Sequence, residues 1–490
     1  MESQEKSALK KKIVVGVLLT FFLTGMLTLA FNIQPVKASG TIYIRADGSI
    51  DPPTANITTT DNVAYIFTGN NYDEIVVQRS NIIIDGNGYT LQGTGAYPSK
   101  GIDLTERSNV TIRNMEIKAF YYGIHLSESS SNTISGNNIT ANNDRGIYLL
   151  KYSSNNSIIE NDINNNDWGI DLQDSSNNTV SGNIITNNAF SGVSLLWSYN
   201  NKVSGNNVTD NLRQGIALDQ SYNNSVSENA ITNNSYVGNY SGIYFYSSFN
   251  NTISGNIIMV NHYGIDLSWS SNNIIYHNDF IDNTQHAHIG ASGYANFWDD
   301  GYPSGGNYWS DYNGTDSHWS SGQDETGSDG IADTPYVIDA DNKDRYPLMG
   351  PFNTFDAGTW NKVNYYVDVV SNSTVSDFYF NPDEGAFLKF NVSGESGTSG
   401  FCQVTIPTDL LWVEDGWTIT VGDQPVTNYT IIPNQNYTYL YFTYNHSTQT
   451  VIIQGNHVIP EFPSFAILPL LMILTIFAVA LVKKRLPRKP

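Results

Sequence analysis

Between Lys100 and Leu267 one short phrase occurs eight times: Gly-Ile-Asp-Leu at Gly101, then variants at Gly123, Gly146, Gly169, Gly192, Gly215, Gly242 and Gly264. The spacings are 22, 23, 23, 23, 23, 27 and 22 residues. A second phrase keeps the same beat, Asn followed five residues later by Asn, from Asn109/Asn114 through Asn178/Asn183 to Asn273/Asn278. Self-similarity at such a period means stacked units that share one core. Within a unit the apolar residues alternate: Ile170 and Leu172 point one way and Asp171 the other, which is strand periodicity. About three short strands and three corners fit in one period, so each unit is one coil of a parallel β-helix, with coils about 4.8 Å apart. The Asn columns have a structural explanation, since amides stacked at a corner can bond up and down the coils. Gly before each Ile-x-Leu strand allows a tight corner.

The two ends differ from the body. Lys10, Lys11 and Lys12 precede an apolar run, Ile13 to Phe31, and Val36-Lys37-Ala38 forms a cleavage site before Ser39; residues 1–38 read as a secretory signal, with an uncleaved anchor as the alternative. A second apolar run, Phe465 to Val482, is followed by Lys483, Lys484, Arg485, Arg488 and Lys489. It is just long enough to span a bilayer as a helix, with the basic tail inside and the body outside the cell. One cysteine, Cys402, excludes a disulfide framework, and sixteen Asn-x-Ser/Thr sites point to a glycoprotein where the host has the machinery. The net charge of −22, with basic residues concentrated at the ends, excludes nucleic acid as a partner.

The expected organisation is all-β: signal 1–38, parallel β-helix 39–289, a Gly/Asp/Trp/Tyr-rich cap 290–354, a β-sandwich stalk 355–457, and a C-terminal segment 458–490 holding the transmembrane helix and basic tail. The cap is expected because a stacked core must be covered at its open end. The sandwich follows from short strand patterns separated by turns, such as Val363–Val370, Val426–Ile432 and Tyr437–Tyr444.

The Gly-Ile-x-Leu and Asn-x-Ile-Ser-Gly-Asn coils resemble the NosD-like right-handed β-helix family, within a wider class of carbohydrate-binding and sugar-hydrolase repeats. Gly306-Asn307-Tyr308-Trp309 through Asp344-Arg345-Tyr346-Pro347-Leu348 is similar to the tail that follows such coils in archaeal surface proteins, and Pro460-Glu461-Phe462 with the apolar run resembles a PEF-type sorting signal. The resemblance implies a cell-surface β-helix, and the family name implies copper delivery, although many members share only the coils.

For chemistry, the residue between the inward Ile and Leu forms an outward column, Asp103, His125, Tyr148, Asp171, Ser194, Ala217, Tyr244 and Asp266. The residue before each Gly forms another, which includes Tyr122, Arg145 and Trp168. Acids, bases and aromatics thus share one side of the first coils, and Tyr122, His125, Tyr148, Trp168 and Asp171 are the candidate glycan-binding residues, for a polysaccharide or the glycans of the cell envelope. A glycosidase needs two carboxyls about 5–9.5 Å apart. Asp103 and Asp171, three coils apart, are separated by roughly 14 Å. Asp144 and Asp167, on adjacent coils, approach to roughly 5 Å, and with Arg145 they are the candidate catalytic set for a lyase or glycosidase. Both also sit in Asn-rich corners where Asp serves turns. His286-Ala287-His288 puts two imidazoles on one strand face, candidate ligands for copper or zinc, with His262 and His277 one or two coils earlier. The acidic cap (Asp324, Asp329, Asp333, Asp339, Asp341) could hold Ca²⁺ through oxygens, though its spacing is not that of an EF-hand. The leading reading is a non-catalytic glycan-binding or envelope protein. A polysaccharide-processing enzyme and a copper-binding accessory protein are the alternatives.

Overall fold

The computed structural model describes residues 40–234, 238–290, 294–360 and 362–459. The expected signal and the apolar run 465–482 lie outside them. Among the described residues every regular element is a strand, and no helix is long and apolar enough to cross a membrane.

Each coil contributes one strand to each of three parallel sheets, of 12, 11 and 10 strands. Register is strict: Ile124, Ile147, Ile170, Val193, Ile216, Ile243, Ile265 and Ala287 are paired in succession along one wall. The middle residue of each three-residue strand on the other walls, such as Ile158, Val180, Ile163 and Ile185, is fully buried. Sheets covered on one face by the other two walls bury one apolar row per strand, and the short strands match the triangular section.

The corners carry three asparagine ladders rather than the two legible in the sequence. Asn132, Asn156, Asn178 and Asn201 make one, and Asn137, Asn161, Asn183 and Asn206 a second; in each, the side-chain amide donates to the carbonyl oxygen of the next Asn at 2.9–3.2 Å. The third, Asn142, Asn166, Asn188 and Asn211, stands just before the glycines. Each Asn oxygen also accepts the backbone N–H of the Asn one coil earlier, as in Asn161 N to Asn183 Oδ1 at 3.0 Å. A serine column does similar work, with Ser175 N donating to Ser198 Oγ and Ser198 N to Ser221 Oγ. The ladders therefore satisfy corner backbone groups that no strand can reach. The glycine column answers to close approach: a Cβ on Gly169 would lie 2.4 Å from the Gly192 carbonyl oxygen and 2.9 Å from Ile185 Cγ2.

Short antiparallel pairs close the first coil, Ile42–Ile44 with Ile50–Asp51 and Ile57–Thr58 with Ala64–Phe67. At the other end Trp309 is stacked between Phe280 and Tyr336, with ring centroids at 4.4 and 4.2 Å, and its indole N–H donates to Asp344 at 2.9 Å. The Asn ladders run into this plug through Asn307 and Asn296 to Asn342. Two five-stranded antiparallel sheets follow, packed around one core that includes Val367, Val404 and Leu440 from one sheet and Leu388, Ile419 and Ile453 from the other.

Three details differ from the sequence expectation. The first long strand of this domain is Phe352–Trp360, which starts inside the expected cap; its alternating Asp, Gly and Thr hide the pattern, and it is recognisable only through its partner Val363–Ser371. The stretch Val426–Ile432 is divided between Gln424–Val426 and Tyr429–Pro433, strands of different sheets. The domain is also docked on the coils rather than standing apart: Phe352 stacks on His277 at 4.1 Å, its N–H donates to the buried Asp279 carboxylate, and Ile331, Leu348 and Val370 form a joint apolar cluster.

Candidate functional site

The outward column lies in register as expected, Asp103 beside His125, His125 beside Tyr148, and Tyr148 beside Asp171. It is not an open face. His125, Tyr148 and Asp171 are buried, because the bulky residues of the neighbouring column, Tyr122, Arg145 and Trp168, fold over them. His125 Nδ1 bonds Asp103 at 3.0 Å, and Lys100 reaches the same carboxylate at 2.7 Å. Burial opposes ionisation of Asp103, but the bonds from His125, Lys100 and Thr105 hold its pKa below the usual carboxylate range.

Arg145 is the hub. Its Nε donates to Asp171 and its Nη1 to Asp144, both at 2.6 Å, and its guanidinium lies 4.4 Å from the Tyr148 ring centroid. Asp171 is only 2% exposed, so its carboxylate cannot meet a ligand and instead fixes the arginine. Burial works against the guanidinium charge, yet Asp171 and Asp144 keep its pKa raised. The Tyr148 phenol, pushed up to about 12 by burial, donates to Gln173 at 2.8 Å. Of the five expected glycan-binding residues, Tyr122 and Trp168 keep an accessible ring, while His125, Tyr148 and Asp171 form the floor.

The wall extends further than the sequence reading reached. Tyr97 packs edge-on against Tyr121 at 4.9 Å and Tyr121 against Tyr122 at 4.8 Å; beyond Arg145, Trp168 stacks on Phe190 at 5.1 Å and Arg213 lies over Phe190 at 4.2 Å. Tyr121, Phe190 and Arg213 occupy the column two residues before each Gly, the one that holds Asp144 and Asp167, so reading that column for aromatics would have found them. A separate row of exposed rings, Tyr199, Tyr222 and Phe249, stands at another corner on successive coils, each two residues before an Asn of the first ladder.

Asp144 and Asp167 do lie on adjacent coils, linked by Trp168 N–H to the Asp144 carbonyl at 2.9 Å. Burial first, then the Asp144 charge, raises the Asp167 pKa, with Arg145 pulling the other way. The Tyr121 hydroxyl bonds Asp144 as well.

The expected metal ligands separate. His286 bonds Asn283 and Ser310 at 3.3 Å near Trp309, whereas His288 bonds Asp266 at 2.9 Å and stacks on Tyr263. His277 is elsewhere, with Nε2 2.8 Å from the Ser304 carbonyl. Of the acidic cap residues, Asp333 ties its segment to another loop by accepting from Ser317 and His318, and Asp339 serves a turn by accepting from Asp341 and Asn342. Among the described residues no group of three or more His, Cys, Asp or Glu side chains is arranged to hold a metal ion.

Residues 163–314 match the family model described as periplasmic copper-binding protein (NosD), and residues 54–202 match the right handed beta helix region model. No curated protein matches the chain. Among solved structures, the periplasmic alginate epimerase AlgG is 16% identical with a TM-score of 0.39, over 49% of this chain and 78% of that one. The Dettilon tailspike protein is 14% identical with a TM-score of 0.39, over 84% and 93% of the two chains. An alginate lyase from Paenibacillus sp. str. FPU-7 is 13% identical with a TM-score of 0.30, over 53% and 98%. The coil domain is a right-handed parallel β-helix, similar over residues 163–314 to the NosD family.

Proposed function

We propose that this is a cell-surface protein whose coil face, from Tyr97 to Arg213, binds a polysaccharide of the cell envelope without cleaving it. The observation that carries the reading is the continuous wall of rings across successive coils with one immobilised guanidinium in its middle. Sugar rings present C–H faces that pack on aromatic rings, and a fixed guanidinium reads hydroxyl or carboxylate oxygens with little ordering cost on binding. Repetition of the coil suits a repeating ligand, since each sugar meets a similar step. The basic tail and apolar run at 465–489 support anchorage in the membrane with the coils outside.

A second reading, polysaccharide cleavage, is favoured by one observation: Asp167, whose pKa burial and the Asp144 charge raise, lies one coil from Asp144 and its Arg145 partner. Both readings are tested by a glycan array with and without Ca²⁺, scoring retention and released products. Retention without products, reduced at least about tenfold by Trp168→Ala and Tyr122→Ala, supports binding. Product release abolished by Asp144→Asn or Asp167→Asn replaces it with catalysis. Retention unaffected by Trp168→Ala and Tyr122→Ala, but lost in Tyr199→Ala, moves the site to the other aromatic row.

A further inference from the structure

Between the last coils, the cap and the two-sheet domain lies a cleft of about 370 Å³ that the glycan face does not use. Its walls are tyrosines from all three regions, Tyr276 from the coils, Tyr302 from the cap, and Tyr437 and Tyr439 from the second domain. Two carboxylates line it, Asp300 and Asp368, and no lysine or arginine does. A second cavity of about 400 Å³ adjoins it and shares Asp368, Asn436 and Tyr437.

The charge balance of this cleft is unusual. Asp300 has a hydrogen bond from Ser304 Oγ at 2.8 Å. Burial pushes the Asp368 pKa up to about 6, opposed only by a hydrogen bond from Thr354. His277 at the edge supplies no compensating charge: burial lowers its pKa to about 4, and its Nε2–H donates to the Ser304 carbonyl. Half-buried Asp368 and exposed Asp300, with no lysine or arginine in the lining, repel anions, and a neutral ligand would leave the Asp368 carboxylate without a countercharge. An organic ammonium ion satisfies both features, pairing with the carboxylates and facing the rings. A metal ion is a poorer match: His277 lines the same cleft, but its Nε2 is engaged with the Ser304 carbonyl, and among the described residues no group of three or more His, Cys, Asp or Glu side chains is arranged to hold a metal ion. Asn434, Asn436 and Thr405 add amide and hydroxyl groups suited to a ligand rich in hydroxyls.

We propose that this interdomain cleft is a second binding site, for an amino sugar: its ammonium group meets Asp300 and Asp368, its ring faces pack on the tyrosines, and the adjoining cavity takes the next sugar of a short chain. The net charge of −22 raises the local concentration of such cations.

The test is calorimetric titration of the full-length chain in detergent micelles with a β-1,4-linked glucosamine dimer, its N-acetylated counterpart and choline. The expected result is binding of the free-amine dimer at least about tenfold tighter than the acetylated dimer and choline. Asp368→Asn, and separately the exposed Asp300→Asn, should lose that preference, and Tyr437→Ala should weaken the amine dimer, while Asn207→Ala, at an exposed coil position outside the cleft and the glycan face, leaves it unchanged. Equal binding of the acetylated dimer, or no binding of the amine dimer to a wild-type chain with a cooperative melting transition, overturns the proposal. Choline binding as tightly as the amine dimer overturns the sugar assignment. Loss of the amine dimer in Trp168→Ala assigns binding to the coil face instead.

Discussion

Replacing Asn183 by Ala tests whether the asparagine ladders hold the coils together. Asn183 is 1% exposed, in the middle of its column. Its oxygen accepts from Asn161 N and Asn161 Nδ2, both at 3.0 Å, and its amide donates to the Ile158 carbonyl and Asn206 Oδ1, both at 2.9 Å. Asn161 Nδ2 retains the Ile134 and Ile159 carbonyls, so its loss is partial. The Asn161 N–H and the Ile158 carbonyl lose this partner in a buried site. At about 1–3 kcal/mol for each orphaned group, Asn183→Ala should cost about 4 kcal/mol. Asn183→Asp keeps the acceptor but turns an oxygen toward those of Ile158 and Asn206. It should be worse than Ala near neutral pH and should recover progressively as pH falls to about 4, because burial beside those oxygens raises its pKa and a protonated carboxyl can donate. The control is Asn207→Ala, which makes the same chemical change at an exposed strand position whose side chain bonds only Thr209, and should change stability by less than about 0.5 kcal/mol. Urea unfolding of residues 40–459, followed by far-ultraviolet circular dichroism, reads all three. A midpoint for Asn183→Ala equal to that of Asn207→Ala would refute the ladder argument and leave the apolar rows to hold the coils alone.

Gly169→Ala should destabilise by about 3 kcal/mol or lower the yield of folded protein, because its Cβ would meet the Gly192 carbonyl oxygen of the next coil at 2.4 Å; the same unfolding assay checks it, and a shift under about 0.5 kcal/mol would show that the coils can part. Thermal stability should fall as pH rises from about 5 to about 8. The buried carboxyls Asp279, Asp316 and Asp344 have pKa values raised by burial to about 7, so their contribution is present below the unfolded value near 4 and lost on deprotonation; Asp344→Asn should flatten the slope in a melting series. Asp103 and Asp333, whose pKa values are lowered by hydrogen bonding, act oppositely and lose their contribution under acid conditions, so the melting temperature should peak between about pH 4 and 6. Asp171→Asn should release Arg145 without emptying space, lowering polysaccharide affinity about threefold to tenfold while the melting temperature changes little; unchanged affinity in the glycan assay would mean that the fixed guanidinium is not part of the site.

The coils were legible because their constraints are local and repeated. Gly at each tight approach, Ile-x-Leu inward, and Asn at the corners recur with the period, and the outward neighbours of the candidate site follow from register alone. The third Asn ladder escaped notice because Asn142, Asn166 and Asn188 sit in runs rich in Asn, where no residue stands out. Burial of the outward column was illegible for another reason. Whether Asp171 faces solvent depends on the rotamers of Arg145 and Trp168 one strand over, and period-two alternation carries no information about them. The interdomain cleft joins residues with no shared period, Tyr276, Asp300, Asp368 and Tyr437, and only the docking of Phe352 on His277 brings them near one another.

The same division explains where variety is tolerated. Inward rows, glycines and corner asparagines answer to the coil above and the coil below, so each is held by two neighbours and repeats almost unchanged from Ile124 to Ile265. The outward columns answer to packing on one side only. Along them the residue changes from Asp103 to His125, Tyr148, Asp171, Ser194 and Ala217 with no loss of register. Charged and aromatic side chains occupy the first four of these positions, Ser and Ala follow, and Tyr244 and Asp266 resume the pattern. Placing Arg145 between two carboxylates and covering His125, Tyr148 and Asp171 desolvates polar groups that bulk water would stabilise. On the proposed function a bound polysaccharide offsets that cost, and the coil architecture permits the arrangement because the stacking energy lies in the rows that do not vary.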